Sequence, residues 1–126
     1  LAIIDKRRPA PGKSQVMNII GDVNKKTCII VDDIIDSGGT IVNAVTALKK
    51  AGAADVYVFT THGVLSGEAV QKIQKSKIKK LVITDTIDNS KKIKNQSKIE
   101  VLSISNLMAE AIKRISNSTS VSDLFN

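Results

Sequence analysis

Aromatic residues are nearly absent from this chain of 126 residues, which holds two Phe, one Tyr and no Trp. With so few rings for unpaired bases to stack on, single-strand nucleic-acid binding is not expected, despite a formal net charge of +7. The one cysteine, Cys28, excludes an internal disulfide and sits in the apolar run TCIIV, where it reads as a small buried thiol. No stretch approaches the length of apolar sequence that a membrane helix needs, and no basic segment followed by an apolar one precedes the first motif. Neither a membrane span nor secretion is supported, so a cytoplasmic protein is expected. Proline occurs only at Pro9 and Pro11, which marks residues 7–15 as irregular.

Hydrophobic residues make up 42% of the chain, enough for one compact domain and hardly enough for two. The positive charge suits nucleic acid, a membrane surface or phosphorylated small molecules alike, and does not choose among them. Much of the lysine lies in KIQKSKIKK and SKKIKNQSK, between Lys72 and Lys98, and reads as a solvated face. The chain opens on LAIID, a strand-like run starting at Leu1, and is expected to be a piece of something longer.

Four apolar runs rich in Val, Ile and Thr predict strands: TCIIVDD (27–33), DVYVFTT (55–61), KLVITDT (80–86) and IEVLSIS (99–105). Between the first two, Ile41, Ala44, Val45 and Leu48 recur at helical spacing, with lysines in the last turn and Gly52 at the C-terminal end. Residues 67–76 predict a weaker helix carrying Val70 and Ile73. Met108, Ala111, Ile112 and Ile115 repeat the helical spacing after Asn106, read as the N-cap, and are expected in the core. Strands alternating with helices predict an α/β fold with a mostly parallel sheet covered on both faces. Ligands of such sheets collect beyond the carboxyl ends of the strands.

The segment VDDIIDSGGT (31–40) leaves the first of these strands at that edge. Asp32 and Asp33 must point to opposite sides of the pleat, and Asp36 returns within reach. Three carboxylates so close repel one another unless a divalent cation, ligand hydroxyls or nearby Lys and Arg offset the charge. Ser37, Gly38, Gly39 and Thr40 then precede a helix, where free amides converge and glycine lets a phosphate approach the backbone. Acids for hydroxyls followed by amides for phosphate outline a sugar-phosphate site. His62, the only histidine, stands before Gly63 at a strand end and reads as a hydrogen-bonded turn residue rather than a general base.

The stretch IIVDDIIDSGGT resembles the phosphoribosyl-binding signature of the type I phosphoribosyltransferase fold. Further blocks, IIDKRRPAP, VMNIIGDV, THGVLSGEAV, VITDTI, IEVLSISNLMAEAIKRI and SVSDLF, together resemble the ribose-phosphate pyrophosphokinase family from end to end of the chain. The resemblance implies a single phosphoribosyltransferase-like domain over 1–126, matching the C-terminal portion of a longer enzyme. It further implies a mobile catalytic loop over 1–15 and a tail over 117–126. In this family the diphosphoryl group of ATP passes to the C1 hydroxyl of ribose 5-phosphate, giving phosphoribosyl diphosphate and AMP. By that likeness Asp32 and Asp33 serve the ribose hydroxyls and Mg²⁺, and Asp36, Ser37, Gly38, Gly39 and Thr40 hold ribose 5-phosphate. Lys6 and Arg8 close over the phosphates, with Arg7 unassigned. Arg114, Ser120, Ser122 and Phe125 match a regulatory segment formed between subunits. The family loop more often runs Asp-Thr-Ala-Gly-Thr; Ser37 keeps the hydroxyl and Gly38 adds backbone freedom.

The resemblance implies partners in ATP, ribose 5-phosphate, and either further copies of the chain or an N-terminal half. Nucleic acid and membrane are not among them. Because the family's remaining parts supply the adenine pocket and a metal-binding histidine, the chain alone is expected to be inactive. A non-catalytic remnant or regulatory subunit bound to an intact synthase is the alternative. A base-transferring phosphoribosyltransferase accounts for the Asp-Gly-Thr loop but for neither DKRRP nor SVSDLF.

Overall fold

The computed structural model describes residues 1–7 and 16–125, with side chains described for 1–4 and 18–125. Two short strands, β1 (Ile3–Arg7) and β2 (Val16–Ile20), pair antiparallel with Ile4 opposite Ile19. The part of the expected loop from Ile3 to Arg7 is thus a strand, held by backbone pairing to the VMNII run. Arg8 and the rest of that expected loop, 8–15, lie outside the described residues. Ile4 and Ile19 form a cross-strand pair that packs against the main core.

The second sheet is parallel throughout, in the order β3 (Cys28–Ile35), β4 (Val56–Gly63), β5 (Lys80–Thr84), β6 (Ile99–Leu102). Helix α1 (Gly39–Lys50) links β3 to β4, and α2 (Ala69–Lys75) links β4 to β5. All four apolar positions expected on α1, Ile41, Ala44, Val45 and Leu48, are buried. The helix ends on Ala51, after which Gly52 takes a φ of +93°. The Gly52 N–H donates to the Lys49 carbonyl and the Ala53 N–H to that of Leu48, satisfying two carbonyls that a helix end otherwise leaves open.

With a monotonic strand order, crossovers of the usual right hand would all pass over the same face. The burial pattern agrees. Val56, Val58, Leu81 and Ile83 point to the helices and are fully enclosed with Val45 and Ile73. Each such side chain contributes about 1.5–3 kcal/mol by leaving water. Their neighbours on the other pleat face do not pack: Val31 is 78% exposed, Ile29 64% and Phe59 38%. The expectation of a sheet covered on both faces is therefore corrected, because both helices lie on one side.

Helix α3 (Ser105–Ser116) departs further from expectation. It starts one residue before Asn106, with Ile104 at the N-cap position, and none of its residues is buried. Met108, Ile112 and Ile115, expected in the core, are exposed at 50%, 63% and 67%. Helical spacing aligned them on one stripe, but among the described residues no element lies opposite that stripe. A short 3₁₀ turn, Ser122–Leu124, follows.

Candidate functional site

Three backbone hydrogen bonds fix the loop after β3. The Val64 and Leu65 amides donate to the Ile35 carbonyl at 3.0 and 3.1 Å, and the Ser66 amide to that of Asp36 at 3.1 Å. This strap from the end of β4 holds the chain where it turns into α1. At the turn Gly38 takes a φ of +75°, a region that side chains rarely enter. Gly38 also backs onto the start of α2, where a Cβ would come within 3.7 Å of Ala69. Gly39 is open, and a Cβ there would meet nothing within 4 Å.

Helix α1 starts without a side-chain cap and without an acidic residue in its first turn. The first helical amide with an intrahelical partner is that of Val42, which donates to the Gly38 carbonyl at 3.1 Å. The amides of Gly39, Thr40 and Ile41 thus precede the hydrogen-bonded ladder and face the positive end of the helix dipole. Together with Asp32, the loop Asp36–Thr40 lines a cavity of about 210 Å³. An anion bound there would meet amides and hydroxyls on one side and carboxylates on the other.

The two leading acids part company. Asp32 is half-buried and lines this cavity, its Oδ1 accepting the Asp33 amide at 3.0 Å. Asp33 is exposed on the opposite pleat face and is absent from the cavity wall. In register beside Asp32 stands Thr60, buried, with an Oγ1 that has no partner among the described residues. Of the three acids, Asp32 and Asp36 line the cavity. Among the described residues no group of three His, Cys, Asp or Glu converges on one point. Two carboxylates beside an open space fit a hard cation that is shared with ligand oxygens, the usual arrangement for Mg²⁺, and do not form a cage of protein ligands alone.

Other expected residues fall elsewhere. Lys6 and Arg7 lie on β1, opposite Met17 and Val16. His62 stands at the end of β4, its Nδ1 3.0 Å from the Thr86 hydroxyl, which agrees with a hydrogen-bonded role. Arg114 donates from Nε to Glu110 Oε1 and from Nη1 to the Ser120 carbonyl, each at 2.9 Å, and lies 3.8 Å from Asp123. Ser120 donates to Asp123 at 3.1 Å. The expected tail is thus folded back on α3, with Ser122 opening the 3₁₀ turn and Phe125 exposed. None of these residues lines the loop cavity. A polar cluster beyond β5 went unread in the sequence. Thr84 and Thr86 both donate to the Thr61 carbonyl, and Asp85 receives the Ile104 amide at 2.9 Å. The Ser103 hydroxyl and that amide hold the Asp85 carboxyl below its ordinary value. Scattered Thr, Asp and Ser carry no periodic signal by which it could have been found.

These features define an α/β domain with a glycine-containing loop and an uncapped helix start at the carboxyl edge of a parallel strand. Residues 4–126 match the model of the phosphoribosyl synthetase-associated domain, and the chain belongs to that family. It is 58% identical to a ribose-phosphate pyrophosphokinase of Hyphomonas neptunium over 99% of its length, and 56% identical to one of Clostridium tetani over the same share. The chain spans 40% and 39% of those two relatives. Its fold matches a crystal structure of phosphoribosylpyrophosphate synthetase from Mycobacterium smegmatis with a TM-score of 0.80 and 38% identity, covering 93% of this chain and 37% of that one. The α/β phosphoribosyltransferase-like fold expected from the sequence is borne out. The expected place at the C-terminal end of a longer enzyme finds no support, since the shares give only the matched length.

Proposed function

We propose that this chain is the sugar-phosphate-binding part of a ribose-phosphate diphosphokinase. The observation that carries the reading is the cavity shared by Asp32, Asp36 and the uncapped start of α1. The amides of Gly39 and Thr40, with the Ser37 and Thr40 hydroxyls, would hold the 5-phosphate, and Asp32 and Asp36 the ribose hydroxyls. Relatives carrying this activity are similar over nearly the whole of this chain.

In the proposed reaction the C1 hydroxyl oxygen of ribose 5-phosphate forms a bond to the β-phosphorus of ATP. The bond from that phosphorus to the α,β-bridging oxygen breaks, AMP leaves with the bridging oxygen, and the hydroxyl proton passes to water. Such a step relies on placing the reactants and on opposing charge that builds on phosphoryl oxygens. This chain's share is to fix the acceptor and keep its C1 side toward the nucleotide. Lys6 and Arg8 would supply positive charge over the phosphates, each such contact being worth about 3 kcal/mol of transition-state stabilisation. Asp32 and Asp36 would hold Mg²⁺, which would supply charge neutralisation. Asp33, on the opposite pleat face, would take no direct part in this cavity. Arg114, Ser120, Ser122 and Phe125 would belong to a surface between subunits. Association with further copies or with the remainder of the family enzyme accords with the uncovered sheet face. A cytoplasmic setting follows from the substrates.

The chain is incubated with Mg²⁺, ATP and ribose 5-phosphate, with Asp32→Asn as control. The expected result is saturable broadening of the ribose 5-phosphate phosphorus resonance in the unsubstituted chain, with AMP no higher than in the control. Absence of any interaction with ribose 5-phosphate overturns the reading, and robust AMP formation overturns the restriction to a binding role. Pyrophosphorolysis of nucleotides without the synthase reaction would instead assign a base-transferring enzyme.

A further inference from the structure

A second and larger cavity, of about 440 Å³, lies between α2 and the turns at 89–96. Its wall includes Leu65, Gln71, Gln74, Lys75, Lys92 and Gln96 and contains no carboxylate. This is the place where the two lysine-rich segments meet, each contributing one lysine. Nine lysines fall between Lys72 and Lys98 against two acids, Asp85 and Asp88. Several are already engaged: Lys79 pairs with Asp55, Lys80 with Glu100, and Lys98 donates to the Ser76 carbonyl. A solvated face explains those lysines. It does not explain the cavity.

Three features there point to a ligand. First, the Nε2 of Gln74 is buried and has no acceptor among the described residues. Leaving a buried donor unmade costs free energy, which a bound acceptor reaching it would recover. Second, the Lys92 ammonium donates to the carbonyls of Val64 and Leu65, at 2.8 and 3.5 Å, and has no carboxylate partner among the described residues. An ammonium carries three donors, so its charge and one N–H remain for a ligand. Third, Leu65 is buried yet held at a φ of +50°, a conformation that costs free energy for a side chain and is often kept where a site needs it. Gly67, on the same wall, is open to the cavity, for a Cβ there would meet nothing within 4 Å.

We propose that this cavity is a second anion site, taking a small phosphate-bearing molecule from diphosphate to nucleotide size. Lys75 and Lys92 supply the charge, and Gln71, Gln74 and Gln96 the directed donors. The volume falls within the roughly 300–1,000 Å³ of small-molecule sites. The site is distinct from the loop cavity, yet the strap Val64–Ser66 touches both. Its amides bind the Ile35 and Asp36 carbonyls beside the first cavity, and two of its carbonyls bind Lys92 beside the second.

The test is an amide-resolved NMR titration of the whole chain with inorganic diphosphate, with ATP and ribose 5-phosphate as separate arms. In the diphosphate or ATP arm, saturable shifts are expected at Gly67, Gln71, Lys92 and the Gln74 side-chain amide. Lys75→Glu, at an exposed position, is expected to weaken that binding at least tenfold, as is Gln74→Leu. Shifts confined to residues 36–40, a linear drift spread over the lysine segments, or unchanged affinity in both variants would each overturn the proposal. The loop resonances are read in the same spectra, so failure here is separable from failure of the ribose 5-phosphate reading.

Discussion

The two faces of the parallel sheet have similar chemistry and opposite fates. Val58 is wholly buried beneath α1 and α2, whereas Phe59, the next residue on the same strand, is 38% exposed and its partner Val31 78%. The alternation that normally separates apolar from polar here separates a covered apolar face from an uncovered one. The α3 stripe is uncovered in the same way. The chain therefore completes one core of its own, while its second face and last helix have the composition of core without a counterpart among the described residues. That fits a chain spanning 40% of the Hyphomonas relative.

Substitutions that weigh the two faces against each other sharpen this contrast. The largest effect is expected at Leu81, fully buried on the covered face. There Leu81→Ala removes about 2–5 kcal/mol of unfolding free energy, measured by denaturant titration. A smaller effect is expected for Arg114→Ala, which frees the tail from α3 at a cost of about 1 kcal/mol and lowers hydrogen-exchange protection at Thr119. The Asp85 contact that starts α3 should depend on pH. Its folded carboxyl titrates below the unfolded value of about 3.8, so the contact contributes above that value and is lost as pH falls through the lower, folded value. The Ile104 amide resonance should follow that titration, and Asp85→Asn should abolish it. The smallest effect is expected on the bare face, where Val31→Ser and Ile112→Ser should each change stability by less than about 0.5 kcal/mol at low protein concentration. A loss like that of Leu81→Ala would show that these positions are covered after all.

Periodicity and turn chemistry made much of this legible. The four parallel strands, the buried stripe of α1, the glycine after its end and the strand-end loop all follow from local pattern. The misplaced parts share one cause: pattern tells which side chains lie on the same face, and says nothing of what stands opposite. Met108, Ile112 and Ile115 were rightly grouped on a stripe and wrongly placed in a core. The strand-like start LAIID was legible, but its continuation through Lys6 and Arg7 was not, because only the pairing with VMNII supplies the backbone partners of those charged residues. Opposite orientation of Asp32 and Asp33 followed from strand geometry alone. Gln74 and Lys92 carry no signal in sequence, because they come together only when α2 packs beside the turns after β5.

The central claim is that exposed amides at the start of α1 receive the phosphate. A Cβ at Gly39 touches nothing in the protein, so Gly39→Val tests the loop without disturbing the fold. Calorimetric titration with ribose 5-phosphate should show affinity reduced at least tenfold, about 1.4 kcal/mol, in a variant whose thermal midpoint is unchanged. Equal affinity in the variant and the unsubstituted chain would contradict the account.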